Sequence, residues 1–183
     1  DYNIDVTLDT ASHTVRGHIE IDYVNNSPDE LNYVWVQLDQ NRFEGDSRGT
    51  GSISHRGSRF DSRGREGGYT VTNVQIEHDG TTYKPQRTMA NTHMRLDLRN
   101  ALKAKGDSAT ISMDFSFPVL QYGADRMGRL DTKNGWIYEL AQWYPRMAVY
   151  DDLRGWNVRP YLGTGEFYLE FGDFNYSITV PAN

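Results

Sequence analysis

The stretch TISMDFSF, residues 110–117, decides the fold class, because apolar and polar side chains alternate at every position. In an extended chain, successive side chains point to opposite faces, so the pattern predicts a β-strand with one buried face. Other segments alternate in the same way and predict further half-buried strands. They are residues 4–8, 15–23, 34–38, 71–76, 96–98, 167–171 and 176–180.

Turn signals separate these strands. Asp79-Gly80 predicts a two-residue hairpin, since both central positions of that turn need a positive φ. Residues 9–12 predict a looser hairpin. No window predicts an amphipathic helix of ten or more residues, and the best short helical candidate is residues 138–143. The chain is therefore predicted to be all-β, a mostly antiparallel sandwich or curved sheet.

Residues 42–68 break the strand pattern. This segment holds seven glycines and six arginines with serines between them, and it is nearly without apolar side chains. Such a composition predicts one long, flexible Gly/Arg/Ser-rich surface loop inserted into a single domain that spans residues 1–183. Acidic residues within the segment favour a solvated insertion over a nucleic-acid-binding arm.

Composition excludes several classes of function. The net charge is −6, which argues against binding to phosphate backbones or anionic membranes, so no nucleic-acid partner is expected. No run is long and apolar enough to predict a membrane span. The chain has no cysteine, so a metal could bind only through histidine or carboxylate. The compartment stays open, with a periplasmic or extracellular location favoured over the cytoplasm.

Familiar catalytic motifs are absent. There is no HExxH zinc motif and no G-x-S-x-G nucleophile motif. The five histidines are scattered over predicted strands and loops, a pattern that favours surface or hydrogen-bonded histidines over metal ligands. We therefore expect no catalytic residue, metal ligand or cofactor within this chain.

The run GWIYELAQWYPRMAVYDD, residues 135–152, offers aromatic rings together with an amide, carboxylates and an arginine. This mixture is typical of a ligand-facing edge, although an aromatic seam packed under a loop would produce it too. Five carboxylates in or near this run also keep a two-carboxylate glycosidase as a formal alternative, although turn-forming or rim positions are the favoured interpretation. They are Glu139, Asp151, Asp152, Glu166 and Glu170.

Nearly the whole chain resembles a known family, except residues 42–68 and roughly 123–134. The opening carries HTVRG, residues 13–17, then IEIDYVNNSP, residues 19–28, and VWVQLD, residues 34–39. The most specific parts are AQWYP, residues 141–145, and the closing GEFYLEFGDFNYSITVP, residues 165–181. These segments resemble the N-terminal domain of gluzincin zinc aminopeptidases, the group of aminopeptidase N and leukotriene hydrolase, especially its large bacterial members.

The resemblance implies a saddle-like β domain that abuts a zinc-bearing catalytic domain, which would lie outside this chain. In that family a loop of the saddle binds the N-terminal residue of a peptide through a glutamine and a second polar side chain. The matching positions here are Gln142 and Tyr144, with Glu139 close enough to supply a negative charge. Because Tyr144 is neutral, strict aminopeptidase specificity does not follow.

The sequence therefore predicts an N-terminal substrate-wall domain of a zinc-dependent metallopeptidase, cut from a longer protein and inactive alone. Its expected partners are the parent's own catalytic domain, which would hold the zinc, and a peptide substrate. An aromatic-rich carbohydrate-binding or other ligand-binding β-sandwich is the alternative. A structural module with an aromatic interface is a third reading.

Overall fold

The computed structural model describes residues 1–48, 66–122, 124, 126–162 and 168–182. Within them, fourteen strands and one short 3₁₀ helix confirm the all-β prediction. The strands are β1 Tyr2–Asp9, β2 Thr14–Asn25, β3 Leu31–Gln37, β4 Thr70–His78, β5 Thr81–Tyr83, β6 Arg87–Ala90, β7 His93–Leu102, β8 Asp107–Pro118, β9 Met127–Thr132, β10 Gly135–Leu140, β11 Arg146–Met147, β12 Tyr150–Asp151, β13 Gly155–Trp156 and β14 Phe174–Thr179. The 3₁₀ helix spans Asp39–Phe43.

Two sheets contribute to one hydrophobic core. The larger sheet has the strand order β14-β1-β2-β8-β4-β5, and the smaller has the order β11-β3-β7-β6. Ile19 and Ile111 of the larger sheet join Val36 and Leu96 of the smaller one in a single buried cluster. Neighbouring strands pair antiparallel, as predicted, except that β14 runs parallel to β1.

Strand β8 is the centre of the larger sheet. It pairs with β2 along its whole length, from Asp107 opposite Asn25 to Pro118 opposite Thr14. Its burial alternates as the 110–117 pattern predicts, with the apolar side chains inside. The period of two therefore sets which face of this strand is buried.

A β-bulge explains the irregular pattern in β4. The pairing of β4 with β8 shifts between Thr72 and Gln75, and Asn73 between them has a φ of 52°. The Asn73 side-chain amide donates to Asp114 Oδ2 at 2.6 Å. The extra residue shifts the alternation of side chains in β4 by one position. Val74 therefore lies on the buried face, whereas without the bulge its side chain would point to the opposite face.

The structure corrects three sequence predictions. Residues 138–143 are not helical: β10 continues to Leu140, and a bend follows. Residues 168–171 form no strand, and Phe167, like Glu166, lies outside the described residues. Arg42 and Phe43, predicted to lie in the loop, are buried in the 3₁₀ helix, because Phe43 joins the hydrophobic core and the Arg42 guanidinium packs on the rings of Phe43 and Tyr161. The loop interior, residues 49–65, also lies outside the described part.

The hairpin of β9 and β10 was not predicted from the sequence. Thr132 pairs with Gly135, and Gly135 has a φ of 109° that suits glycine. Asn134-Gly135 was therefore an available turn signal. No helix among the described residues is long and apolar enough to cross a membrane.

Replacing one buried isoleucine tests the central position of β8. Ile111 is fully buried, so Ile111→Ala is expected to lower the free energy of unfolding by about 2 to 5 kcal/mol, measured by urea denaturation. Ile137→Ala removes the same atoms from a side chain that is 56% exposed and should cost much less. Equal losses for the two variants would contradict the described core.

Candidate functional site

The centre of the candidate site is the bend between β10 and β11, residues 141–145. Gln142 lies in this bend with a φ of 54°, which is uncommon for a residue other than glycine, asparagine or aspartate. The Ala141 amide donates to the Arg126 carbonyl at 2.8 Å. The side chain of Gln40 donates to the carbonyls of Ala141 and Gln142 at 3.3 and 3.1 Å. The bend is therefore held from both sides.

Gln40 lies between two buried polar residues, Asp39 and Asn41, that hold its segment in place. It belongs to the 3₁₀ helix, all five residues of which are buried. Asp39 pairs with Arg146 of β11 at 2.6 Å and also accepts a 2.8 Å bond from Gln37. The Tyr69 amide donates to the side-chain oxygen of Asn41 at 2.8 Å. These contacts fasten the helix beneath the bend.

Glu139 lies on the strand that leads into the bend. It is exposed, pairs with Gly128 across the hairpin, and lines an open cleft with Arg126 and Ile137. Neighbouring Tyr138 lines a different, apolar groove, as expected for alternating side chains of a strand. Glu139 therefore offers an accessible carboxylate three residues before Gln142.

Tyr144 has different surroundings. Its ring packs edge-on against Tyr2, Trp143 and Phe174, at centroid distances of 6.0, 5.2 and 5.8 Å. Burial raises the pKa of the Tyr144 hydroxyl, and nearby Arg146 only partly opposes this shift. Tyr144 therefore stays neutral and contributes to packing around the bend.

Asp151 is engaged in structural hydrogen bonds. It accepts bonds from the Arg154 amide, the Asn157 side chain and the Tyr168 hydroxyl, at 2.8, 2.8 and 2.9 Å. Hydrogen bonding, above all from Asn157, lowers the pKa of Asp151. A glycosidase acid needs a raised pKa, so Asp151 does not suit that role.

An apolar face lies beside the bend. Every residue of β14 is exposed, and Phe174, Tyr176 and Ile178 stand opposite the buried side chains of β1 in the register of the two strands. These three side chains therefore lie on the same face of the sheet as the core residues of β1, but they remain exposed to solvent. We call Phe174, Tyr176, Ile178 and Val180 the β14 face. Its end forms a groove of about 250 Å³ with Leu140 and Trp143.

Local sequence patterns do not reveal the roles of Gln40, Asp39 and the β14 face. The polar run 39–42 follows a strand and has the composition of a surface loop, so nothing local indicates its burial. The alternation over residues 176–180 predicts an ordinary half-buried strand there. Alternation gives the apolar face of a strand and does not tell whether another layer covers it.

Comparisons with known proteins give only remote likeness. No protein-family model matches the chain, and no curated protein matches it. Among solved structures, the M1 zinc metallopeptidase of Deinococcus radiodurans aligns with a TM-score of 0.41 and 11% identity, over 75% of this chain and 23% of that one. A mutant form of an M1 zinc metallopeptidase from the same organism, bound to a Tyr-Ser-Ala substrate, aligns with a TM-score of 0.41 and 9% identity, over 65% and 20%. The chain thus spans about a fifth of the length of either protein.

Breaking the buried ion pair should be costly. Asp39→Asn leaves Arg146 charged in a buried position, so the free energy of unfolding should fall by about 3 kcal/mol in a denaturation experiment. Asp97→Asn is the matched control, since Asp97 pairs with Arg95 at 2.7 Å at a partly exposed site and should cost less than about 1 kcal/mol. A loss for Asp39→Asn no larger than that of the control would show that the Asp39–Arg146 pair does not fasten the 3₁₀ helix beneath the bend.

His93 makes stability depend on pH. Burial, with a smaller contribution from Arg146, lowers the pKa of His93 from 6.5 to about 4. Between these values the unfolded chain binds the proton more readily than the folded chain. The contribution of His93 to stability is therefore present above pH 6.5, and about 3 kcal/mol of it is lost as the pH falls to 4.

Unfolding measured across this pH range checks the effect. His93→Gln removes the titrating ring, so its stability should fall less steeply than that of the parent between pH 6.5 and 4. The same pH dependence in both proteins would show that His93 is not the group responsible.

Proposed function

We propose that this chain is a substrate-wall domain of a zinc-dependent aminopeptidase-like metallopeptidase, inactive by itself. The sequence resemblance of residues 141–145 and 165–181 motivates the proposal. The observation that carries it is the backbone of Gln142, a left-handed residue fixed by the buried Gln40 amide. Left-handed backbone costs an L-residue roughly 1 to 2 kcal/mol, and such strain is concentrated at ligand sites.

The amide of Gln142 suits the N-terminus of a peptide. Its side-chain oxygen can accept a hydrogen bond from an ammonium group, and such charge-assisted bonds are among the strongest in proteins. Glu139, exposed on the strand before the bend, would supply the negative charge. Tyr144 would act chiefly by packing beneath the bend, since its ring is enclosed by other aromatic rings.

The β14 face fits a second part of the proposal, the contact with a catalytic domain. Tyr176 is 64% exposed and Ile178 is 52% exposed, although both stand on the core-facing side of their strand. Apolar side chains in such a row favour burial against another layer of protein. In this proposal the catalytic domain covers this face and contributes the zinc and the general base.

The carbohydrate-binding alternative depends on a free aromatic ring. Trp136 is 37% exposed, but His13 packs against it at 4.6 Å and the Arg129 guanidinium lies 5.4 Å from its centroid. A sugar that stacks on Trp136 would share the ring with these two side chains. Polysaccharide retention that survives Trp143→Ala but is lost with Trp136→Ala would nevertheless favour this alternative.

Substitution of Gln142 in the full-length parent enzyme tests the peptidase proposal. Gln142→Ala should raise KM for peptide substrates about tenfold or more, because a charge-assisted hydrogen bond contributes about 1.5 to 3 kcal/mol. Zinc content should stay unchanged. Gln75→Ala, a half-buried glutamine of β4, is the matched control and should behave like the parent.

A glycine at the same position separates binding from folding. Gln142→Gly relieves the left-handed strain, so stability should be maintained or rise by up to about 1 kcal/mol while KM still rises. If both Gln142 variants keep the parent's KM, the proposed role of this residue is wrong.

A further inference from the structure

Three potential metal ligands meet at one end of the larger sheet. His78 is the last residue of β4, Asp79 follows it in the hairpin turn, and Asp107 is the first residue of β8. His78 Nε2 lies 3.3 Å from Asp107 Oδ2 and 3.8 Å from Asp79 Oδ1. All three ligand atoms lie within 4.8 Å of one another.

These distances suit a shared cation. A tetrahedral zinc ion with ligands at about 2.0 to 2.2 Å places neighbouring ligand atoms roughly 3.4 Å apart. A simple ion pair of His78 with Asp107 would explain why one carboxylate lies near the imidazole. Here two carboxylates, those of Asp107 and Asp79, lie near the same nitrogen. Modest movement of the exposed Asp79 side chain would complete a three-ligand set.

The histidine is fixed in position. The His78 side chain is only 2% exposed, so its ring cannot swing out into water, while the side chains of Asp79 and Asp107 are 52% and 25% exposed. The nitrogen is therefore presented from a rigid core toward carboxylates that water can reach. Water molecules could fill the remaining coordination positions.

Backbone groups orient the carboxylates. The Lys103 amide donates to Asp107 Oδ2 at 2.8 Å, and the Ser108 amide donates to Oδ1 at 3.0 Å. Asp79 has a φ of 50° in a turn that continues with Gly80. Outer contacts that orient ligands in this way are a general feature of metal sites.

We infer that His78, Asp79 and Asp107 bind a divalent transition-metal ion such as Zn²⁺, completed by water. One imidazole and two carboxylates match zinc, whereas calcium takes six to eight oxygen ligands. The ion would connect the β4–β5 turn to the turn before β8. This site is independent of the proposed peptidase function and differs from any zinc of a catalytic domain.

The sequence alone predicts no metal ligand in this chain. Asp107 is distant from His78 in sequence, so no spacing motif marks the set. The pairing of β4 with β8 brings the residues together.

Calorimetric titration of the metal-free 183-residue chain, without a histidine tag, tests the inference. Zn²⁺ should bind with one ion per chain, and the thermal midpoint should rise with added Zn²⁺. Asp79→Asn should weaken binding at least tenfold, because asparagine tolerates the left-handed turn but lacks the charge. Asp107→Asn should weaken it similarly.

His18→Ala provides the matched control. His18 pairs with Asp114 at 2.6 Å on the surface, but it belongs to no three-ligand group among the described residues. Its removal should leave zinc affinity unchanged. Absence of saturable Zn²⁺ binding, unchanged affinity in Asp79→Asn, or loss of binding in His18→Ala would each overturn the assignment, as would preferential binding of Ca²⁺.

Discussion

The buried ion pair of Asp39 and Arg146 is the interaction on which the geometry of the candidate site depends. Removing two charges from water is expensive, so the pair is tolerated only where each charge has a close partner. Here the contact is 2.6 Å and joins the 3₁₀ helix to β11. Because Gln40 follows Asp39 directly, the same contact places a buried amide beneath the bend at residues 141 and 142. The pair thus links the packing of the sandwich to the backbone of Gln142.

A tightly held segment of backbone and an exposed apolar surface lie next to each other at this bend. On one side, Gln40 and the rings around Tyr144 restrict the chain, which suits a residue that must meet a ligand in a fixed orientation. On the other side, the β14 face leaves apolar side chains in solvent. A domain that contributes one wall of a substrate site would need both features, a positioned polar group and an apolar surface for the domain that completes the site.

The sequence predicts the strands well because a period of two is a local property. The alternation around Ile111 and Phe115 identifies the buried face of β8 without information about any other strand. The bulge at Asn73, the parallel pairing of β14 and the burial of Asp39 depend on partners far away in the chain, so local patterns do not predict them. For the candidate site, Gln142 and Glu139 could be named from the family resemblance, whereas Gln40 could not, because its role depends on two carbonyl groups that only the fold brings near.

If the chain is part of a zinc metallopeptidase, as proposed, Gln40→Leu in that enzyme is the decisive variant, because Gln40 is buried and bonds only to the backbone of the bend. The variant keeps a similar volume and removes both bonds to the carbonyls of the bend. The measurement is KM for a peptide substrate, with zinc content determined on the same samples. A rise in KM of up to about thirtyfold at unchanged zinc content is the predicted result, since the two lost hydrogen bonds are together worth about 2 kcal/mol. An unchanged KM in a folded, zinc-loaded variant would contradict the claim that this buried amide positions Gln142 for substrate.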